Sequence, residues 1–225
     1  MPQPRSGRFA DRREAGRLLA AQLRGLGLER PILYALPRGG VAVGAEIAAA
    51  LDAPLDLVLV RKLGAPFQPE LAVGAVVEGD PPETVLNPDI ITLTGTSEAY
   101  LAEARRRALA EIERRRGLYL AGRPRPDPRG RTAIVVDDGL ATGATARAAL
   151  RALRRRGPAR LILAVPVAAP ETLAGMRAEA DEVVCLLARD LHRGVGGFYD
   201  EFHQLTDEEV IRLLDAAARP GRAPG

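Results

Sequence analysis

The chain has 225 residues, a formal net charge of +3 and a pI near 9.5; 47% of it is hydrophobic and only 4% aromatic. This composition excludes a disordered chain, and no apolar run approaches the roughly 18 residues of a transmembrane helix. One cysteine and two histidines exclude an internal disulfide framework and leave too few ligands for a zinc site.

The N-terminal stretch MPQPRSGRFADRREAGRLLA has arginines but no apolar h-region, and it carries Asp11 and Glu14. No secretion or transit signal is expected, and the cytoplasm is the expected location. Most arginines alternate with glutamates, as in EARRRALAEIERRR, which describes a solvated helix face rather than a nucleic-acid interface. Of the 32 basic residues, only Lys62 is lysine. A site that needs a compact, rotatable donor would account for keeping it; so would chance.

Taken in chain order, residues 8–25 have helical apolar spacing, PILYAL (31–36) is a buried strand, and VAVGAEIAAAL is a helix ending at Leu51. LDLVLV (55–60) and LAVGAVV (71–77) follow as strands two and three, with a short strand possible at 89–93. Ser97 caps a long polar helix reaching about Arg116, and 122–130 is a turn-rich connector. TAIVVDD is a fourth parallel strand, with ATARAALRALRRRG as its helix. RLILAVPV, APETLAGMRAEA and DEVVCLL complete a strand–helix–strand unit, and Thr206 caps a last helix after an irregular, aromatic stretch. Cys185, inside EVVCLLA, reads as a buried thiol. This order predicts an α/β fold with a central parallel sheet flanked by helices. A single domain is expected over 1–225. Its core runs from about 30 to 190, a C-terminal hood from about 190 to 218, and 219–225 form a disordered tail.

Ligands of open parallel sheets sit at the carboxyl ends of the strands. Three loops there carry chemistry: PRGG, RKLGAP and DDGLATGAT. In the last, Ala141, Thr142, Gly143, Ala144 and Thr145 precede a helix. Small side chains and first-turn amides make that a cradle for a phosphate monoester. Asp137 and Asp138, one step away, suit sugar hydroxyls or a hydrated metal ion. Arg38, Arg61 and Lys62, with the Gly39 and Gly40 amides, would form a second and stronger anion site. Singly, any of these loops could be structural turns. There is no GxxxxGK[ST], the PRGGVAVG spacing is not GxGxxG, and aspartyl phosphatases would place the acids two apart.

These residues resemble the type I phosphoribosyltransferase family. VVDDGLATGAT matches its phosphoribosyl-pyrophosphate (PRPP) motif, ALPRGG its pyrophosphate loop, and RKLGAP the start of its mobile loop, most closely in adenine enzymes. The chain is also similar to a bacterial phosphoribosyltransferase-domain subgroup of unassigned substrate. The resemblance implies a hood built from the chain termini and transfer of phosphoribosyl from Mg-PRPP to a nitrogenous base, with release of pyrophosphate. It implies Mg²⁺ as cofactor, held by Asp137 and Asp138, in part through water, and a catalytic set of Arg38, Arg61, Lys62, Asp137 and Asp138. It further implies a cis peptide at Pro37–Arg38 and a homodimer engaged in nucleotide salvage, with no membrane or nucleic-acid partner. The residue before T-G is Ala141, where 6-oxopurine enzymes usually carry an aspartate, which argues against hypoxanthine or guanine. Glu70 is a candidate for the mobile-loop glutamate of the adenine enzymes, or else an exposed loop acid. GGFYDEFHQ, the only dense aromatic cluster, offers Phe198 or Tyr199 to stack on a base or to pack the hood. His192 and His203 receive no role. The rival reading is a regulator that senses PRPP or a nucleotide on the same fold; intact Arg38, Arg61 and Lys62 favour the enzyme.

Overall fold

The computed structural model describes residues 4, 7–79, 81–192 and 194–218. Five parallel strands form the main sheet: β1 (Ile32–Ala35), β2 (Leu55–Leu57), β6 (Thr132–Val136), β7 (Arg160–Ala168) and β8 (Glu182–Ala188), in the spatial order β2-β1-β6-β7-β8. β1 and β6 lie at the centre and are buried throughout. That is why they read as unbroken apolar runs. Their side chains alternate between two layers. Tyr34, Ala133 and Val135 face α5 (Ala144–Arg155), while Leu33, Ile134 and Val136 face α1 (Arg12–Leu23) and α2 (Gly39–Leu51). Burying Leu19 or Ile47 in the second layer stabilises the fold by about 1.5–3 kcal/mol each.

The central sheet and its helices are those the sequence predicts. Three expectations are corrected. The apolar run 55–60 is not one strand: β2 stops at Leu57, and Val60 opens β3 (Val60–Ala65) in a different sheet. Residues 71–77 belong to β4 (Gln68–Val77), which pairs antiparallel with β3 and with β5 (Glu83–Leu86). Residues 88–94 form a helix, α3 (Pro88–Thr94), not a strand. Asn87 accepts from the Ile90 amide as its cap, and Pro88 begins it at the position where a missing N–H costs nothing. The long helix α4 (Glu98–Leu120) starts at its expected Ser97 cap and runs four residues beyond Arg116.

After α6 (Pro170–Met176) and β8, the chain returns through an irregular segment to α7 (Asp207–Ala217). Thr206 and Glu209 close a reciprocal capping box at its start. The N-terminal and C-terminal segments meet: Phe9 bridges to Tyr199, and α7 packs against α2 and α4. Residues 219–225, expected to be a disordered tail, lie outside the described residues. No described helix is long and apolar enough to cross a membrane.

Candidate active site

β6 delivers Asp137 and Asp138 to the carboxyl edge of the sheet, beside the start of α2. Two glycines allow this approach. A Cβ on Gly39 would stand 1.8 Å from Asp138 Oδ2, and one on Gly40 would stand 2.6 Å from the Val136 carbonyl oxygen. PRGG and VDD, about 100 residues apart, therefore do converge as the topology requires. The peptide Pro37–Arg38 is cis, as the resemblance implies. The Gly40 amide, expected to face an anion, instead donates to the Leu36 carbonyl at 3.1 Å; Gly40 serves close packing. Arg38 points toward the C-terminal segment. Its Nη1 donates to the Leu205 carbonyl at 2.8 Å and lies 3.8 Å from Asp207.

The carboxylates are half-buried and adjacent. Asp137 Oδ1 accepts from the Asp138 amide at 2.9 Å. Burial, followed by repulsion from Asp138, pushes the Asp137 carboxyl well above the usual carboxylate range. Burial also raises Asp138, opposed by a guanidinium that sequence reasoning missed: Arg12 Nε donates to Asp138 Oδ2 at 2.8 Å. Arg12 is the first residue of α1 and is 8% exposed. Its Nη1 donates to the His203 carbonyl at 2.9 Å, and its guanidinium carbon lies 3.8 Å from the centre of the Phe202 ring. In the sequence Arg12 is one arginine of DRREAGR, and its partner is 126 positions away. Among the described residues, Arg12 thus places one fixed countercharge beside the two carboxylates.

Beyond Asp138 the chain crosses over β7, with the Leu140 amide donating to Val167, and turns at Gly143 into α5. Gly143 has φ +71°, the left-handed region, and no side chain caps the helix. Ala141 and Thr142 are exposed, Ala144 and Thr145 half-buried. The Ala141 carbonyl is held by the Thr172 hydroxyl at 2.7 Å. Uncapped first-turn amides behind small side chains are what an anion cradle needs.

Two other expectations change. RKLGAP is no loop: Arg61 and Lys62 sit on β3 opposite Val76 and Ala75. Tyr199 is not open to a base. It is 2% exposed, its ring packs on Phe9 and Phe202, and its hydroxyl donates to the Asp138 carbonyl at 2.6 Å. Phe198 is half-buried against the α1–α2 layer. The side chain of Glu70 lies outside those described. Arg12 also lines a cavity of about 450 Å³ bounded by Asp11, Arg13, Ala42, His203, Glu209 and Arg212.

A phosphoribosyl transferase domain profile matches residues 10–203, a span that takes in the acid pair, the cradle and Arg12. The chain belongs to the phosphoribosyltransferase domain family. Two Mycobacterium tuberculosis proteins, from strains CDC 1551 and H37Rv and provisionally named phosphoribosyl transferases, are each 45% identical over 211 residues. The alignment takes in 94% of this chain but 47% of theirs, so the chain spans about half the length of these relatives. The crystal structure of TT1426 from Thermus thermophilus superposes with a TM-score of 0.79 at 45% identity, over 92% of this chain and 97% of that one. The phosphoribosyltransferase fold is therefore present.

Proposed function

We propose that the protein transfers the 5-phosphoribosyl group of PRPP to a nitrogen atom of a base-like acceptor. In this reaction the bond from C1 to the pyrophosphate oxygen breaks, a C1–nitrogen bond forms on the opposite face, and pyrophosphate leaves. The observation that carries the reading is the continuity of β6 into α5: two half-buried carboxylates lie shortly before an uncapped helix N-terminus. In this reading ribose hydroxyls are assigned to Asp137 and Asp138 and the 5-phosphate to 141–145. Arg61, Lys62 and Arg38 are assigned to the leaving pyrophosphate, whose growing charge guanidinium and ammonium groups stabilise.

Magnesium fits the donor set. Among the described residues no three metal-ligating side chains cluster, and the acid pair has one oxygen spent on Arg12 and one on the Asp138 amide. Two carboxylate oxygens with water and substrate oxygens are a common way to hold Mg²⁺. Bound there, it would neutralise charge on PRPP. The cytoplasm and a homodimer belong to the same reading; light scattering decides the second.

The test is incubation of the protein with Mg²⁺, PRPP and a panel of nitrogenous bases, following pyrophosphate release. Base-dependent release is the expected result, with hypoxanthine and guanine poor acceptors because Ala141 offers no carboxylate to the ring. Tight PRPP binding with no base-dependent release would instead establish a sensor.

A further inference from the structure

The oxygens of the acid pair are not equally available. Asp138 Oδ2 accepts from Arg12 Nε and lies against the bare Cα of Gly39. Asp137 Oδ1 accepts from the Asp138 amide, and the Asp138 carbonyl accepts from the Tyr199 hydroxyl. Among the described residues, no hydrogen bond from another residue occupies Asp137 Oδ2 or Asp138 Oδ1; the Asp138 carboxylate also faces its own main-chain amide. Resting on the phosphoribosyl reading above, we propose that Arg12 is a positioning residue for transfer. It holds the Asp138 carboxylate in the orientation that presents Oδ1 to a ribose hydroxyl, and it makes the C-terminal segment a structural part of the sugar site.

Three contacts restrain the Arg12 guanidinium at once: a carboxylate on Nε, the His203 carbonyl on Nη1, and the Phe202 ring against its face. Its backbone is fixed too. Asp11 caps α1 by accepting from the Glu14 amide at 2.7 Å, while Glu14 accepts from the Ala10 amide at 2.6 Å. A latch that let go when ligand arrived would abandon all three partners together. Tyr199 restrains the same residue through its main chain. Asp138 is thus held by its side chain from the N-terminal helix and by its backbone from the C-terminal segment. A planar guanidinium can satisfy a carboxylate, a carbonyl and a ring face simultaneously, whereas an ammonium supplies charge without that geometry.

Calorimetric titration of the full chain with Mg-PRPP, ribose 5-phosphate and inorganic phosphate tests this. Arg12→Met should weaken PRPP and ribose 5-phosphate binding tenfold or more while leaving inorganic phosphate, which needs only the 141–145 cradle, within twofold. Arg12→Lys should recover part of the loss. In Arg12→Ala, millimolar guanidinium should restore affinity, since Arg12 lines an open cavity. Unchanged sugar-phosphate affinity in Arg12→Met overturns the proposal, and tighter binding overturns it in favour of a latch. If Arg12→Met does not fold, Arg12→Lys and Tyr199→Phe carry the test: each should lose several-fold in PRPP affinity with phosphate binding intact, and wild-type affinity in both overturns the proposal. A wild-type protein that binds no PRPP defeats the functional reading and this one together, whereas unaffected variants of a PRPP-binding protein defeat only the role of Arg12.

Discussion

At the scale of single residues, neighbouring glycines make different demands. A Cβ at position 40 would run into main-chain atoms of Val136 and Asp137; one at 39 would meet the Asp138 carboxylate first. Gly40→Ala should therefore destabilise the fold by about 1–3 kcal/mol, read as a lowered Tm. Gly39→Ala should instead push Asp138 off Arg12 and weaken sugar-phosphate binding, with a smaller change in Tm. Asp137→Asn combined with Asp138→Asn should lower kcat/KM for PRPP by roughly a hundredfold or more, about 2.7 kcal/mol of transition-state stabilisation; normal kinetics in that double variant would refute the assignment. Burial pushes the Cys185 thiol up to about 11, so at pH 8 iodoacetamide should label it far more slowly than an ordinary cysteine, and promptly once the chain is unfolded. Mass spectrometry reads both. The acid pair was legible in the sequence because acids, glycines and threonines sit together there. Arg12 was not, since nothing local sets one arginine of DRREAGR apart from the next. Tyr199 was found as a residue of interest with two roles open, stacking on a base or packing the hood, and the fold selects packing.

At the scale of elements, helix ends were easier to read than strand partners. Ser97 and Thr206 announce their helices because a short hydroxyl satisfies a first-turn amide locally. Thr206→Ala should cost about 1 kcal/mol, lowering Tm by roughly 2–4 °C for a chain of this size. The loss should be seen in thermal melts and should leave α4 untouched. Strand direction depends on residues far along the chain. LAVGAVV is equally apolar whether it pairs parallel or antiparallel, and the turn after Ala65 is the only local sign that β3 and β4 form a hairpin. Residues 89–93 misled for another reason. Their isoleucines and threonines favour strands, but the Asn87 cap and Pro88 outweigh that preference.

At the scale of the whole molecule, several charge pairs span separate elements. Arg154 donates two hydrogen bonds to Asp181 at the head of β8, and these are the main reason its carboxyl lies below the ordinary value of 3.8. A depressed carboxylate contributes stability that is present above its unfolded value and lost as pH falls through its folded one. Wild-type Tm should therefore drop as pH goes below about 3.8, and Asp181→Asn should show a shallower drop over that window. Both partners are substantially exposed, so high salt should shrink the difference.

The meeting of the N-terminal helix and the C-terminal segment at Asp138 also orders events during synthesis. A nascent chain that has released residues 1–190 from the ribosome already owns β1, β6, the cradle and Arg12. It still lacks the Tyr199 hydroxyl, the Phe202 ring and the His203 carbonyl that hold Asp138 and Arg12 in place. The acid pair gains its fixed geometry only when residues 199–203 have emerged, so shorter translation products carry the family's motif without it.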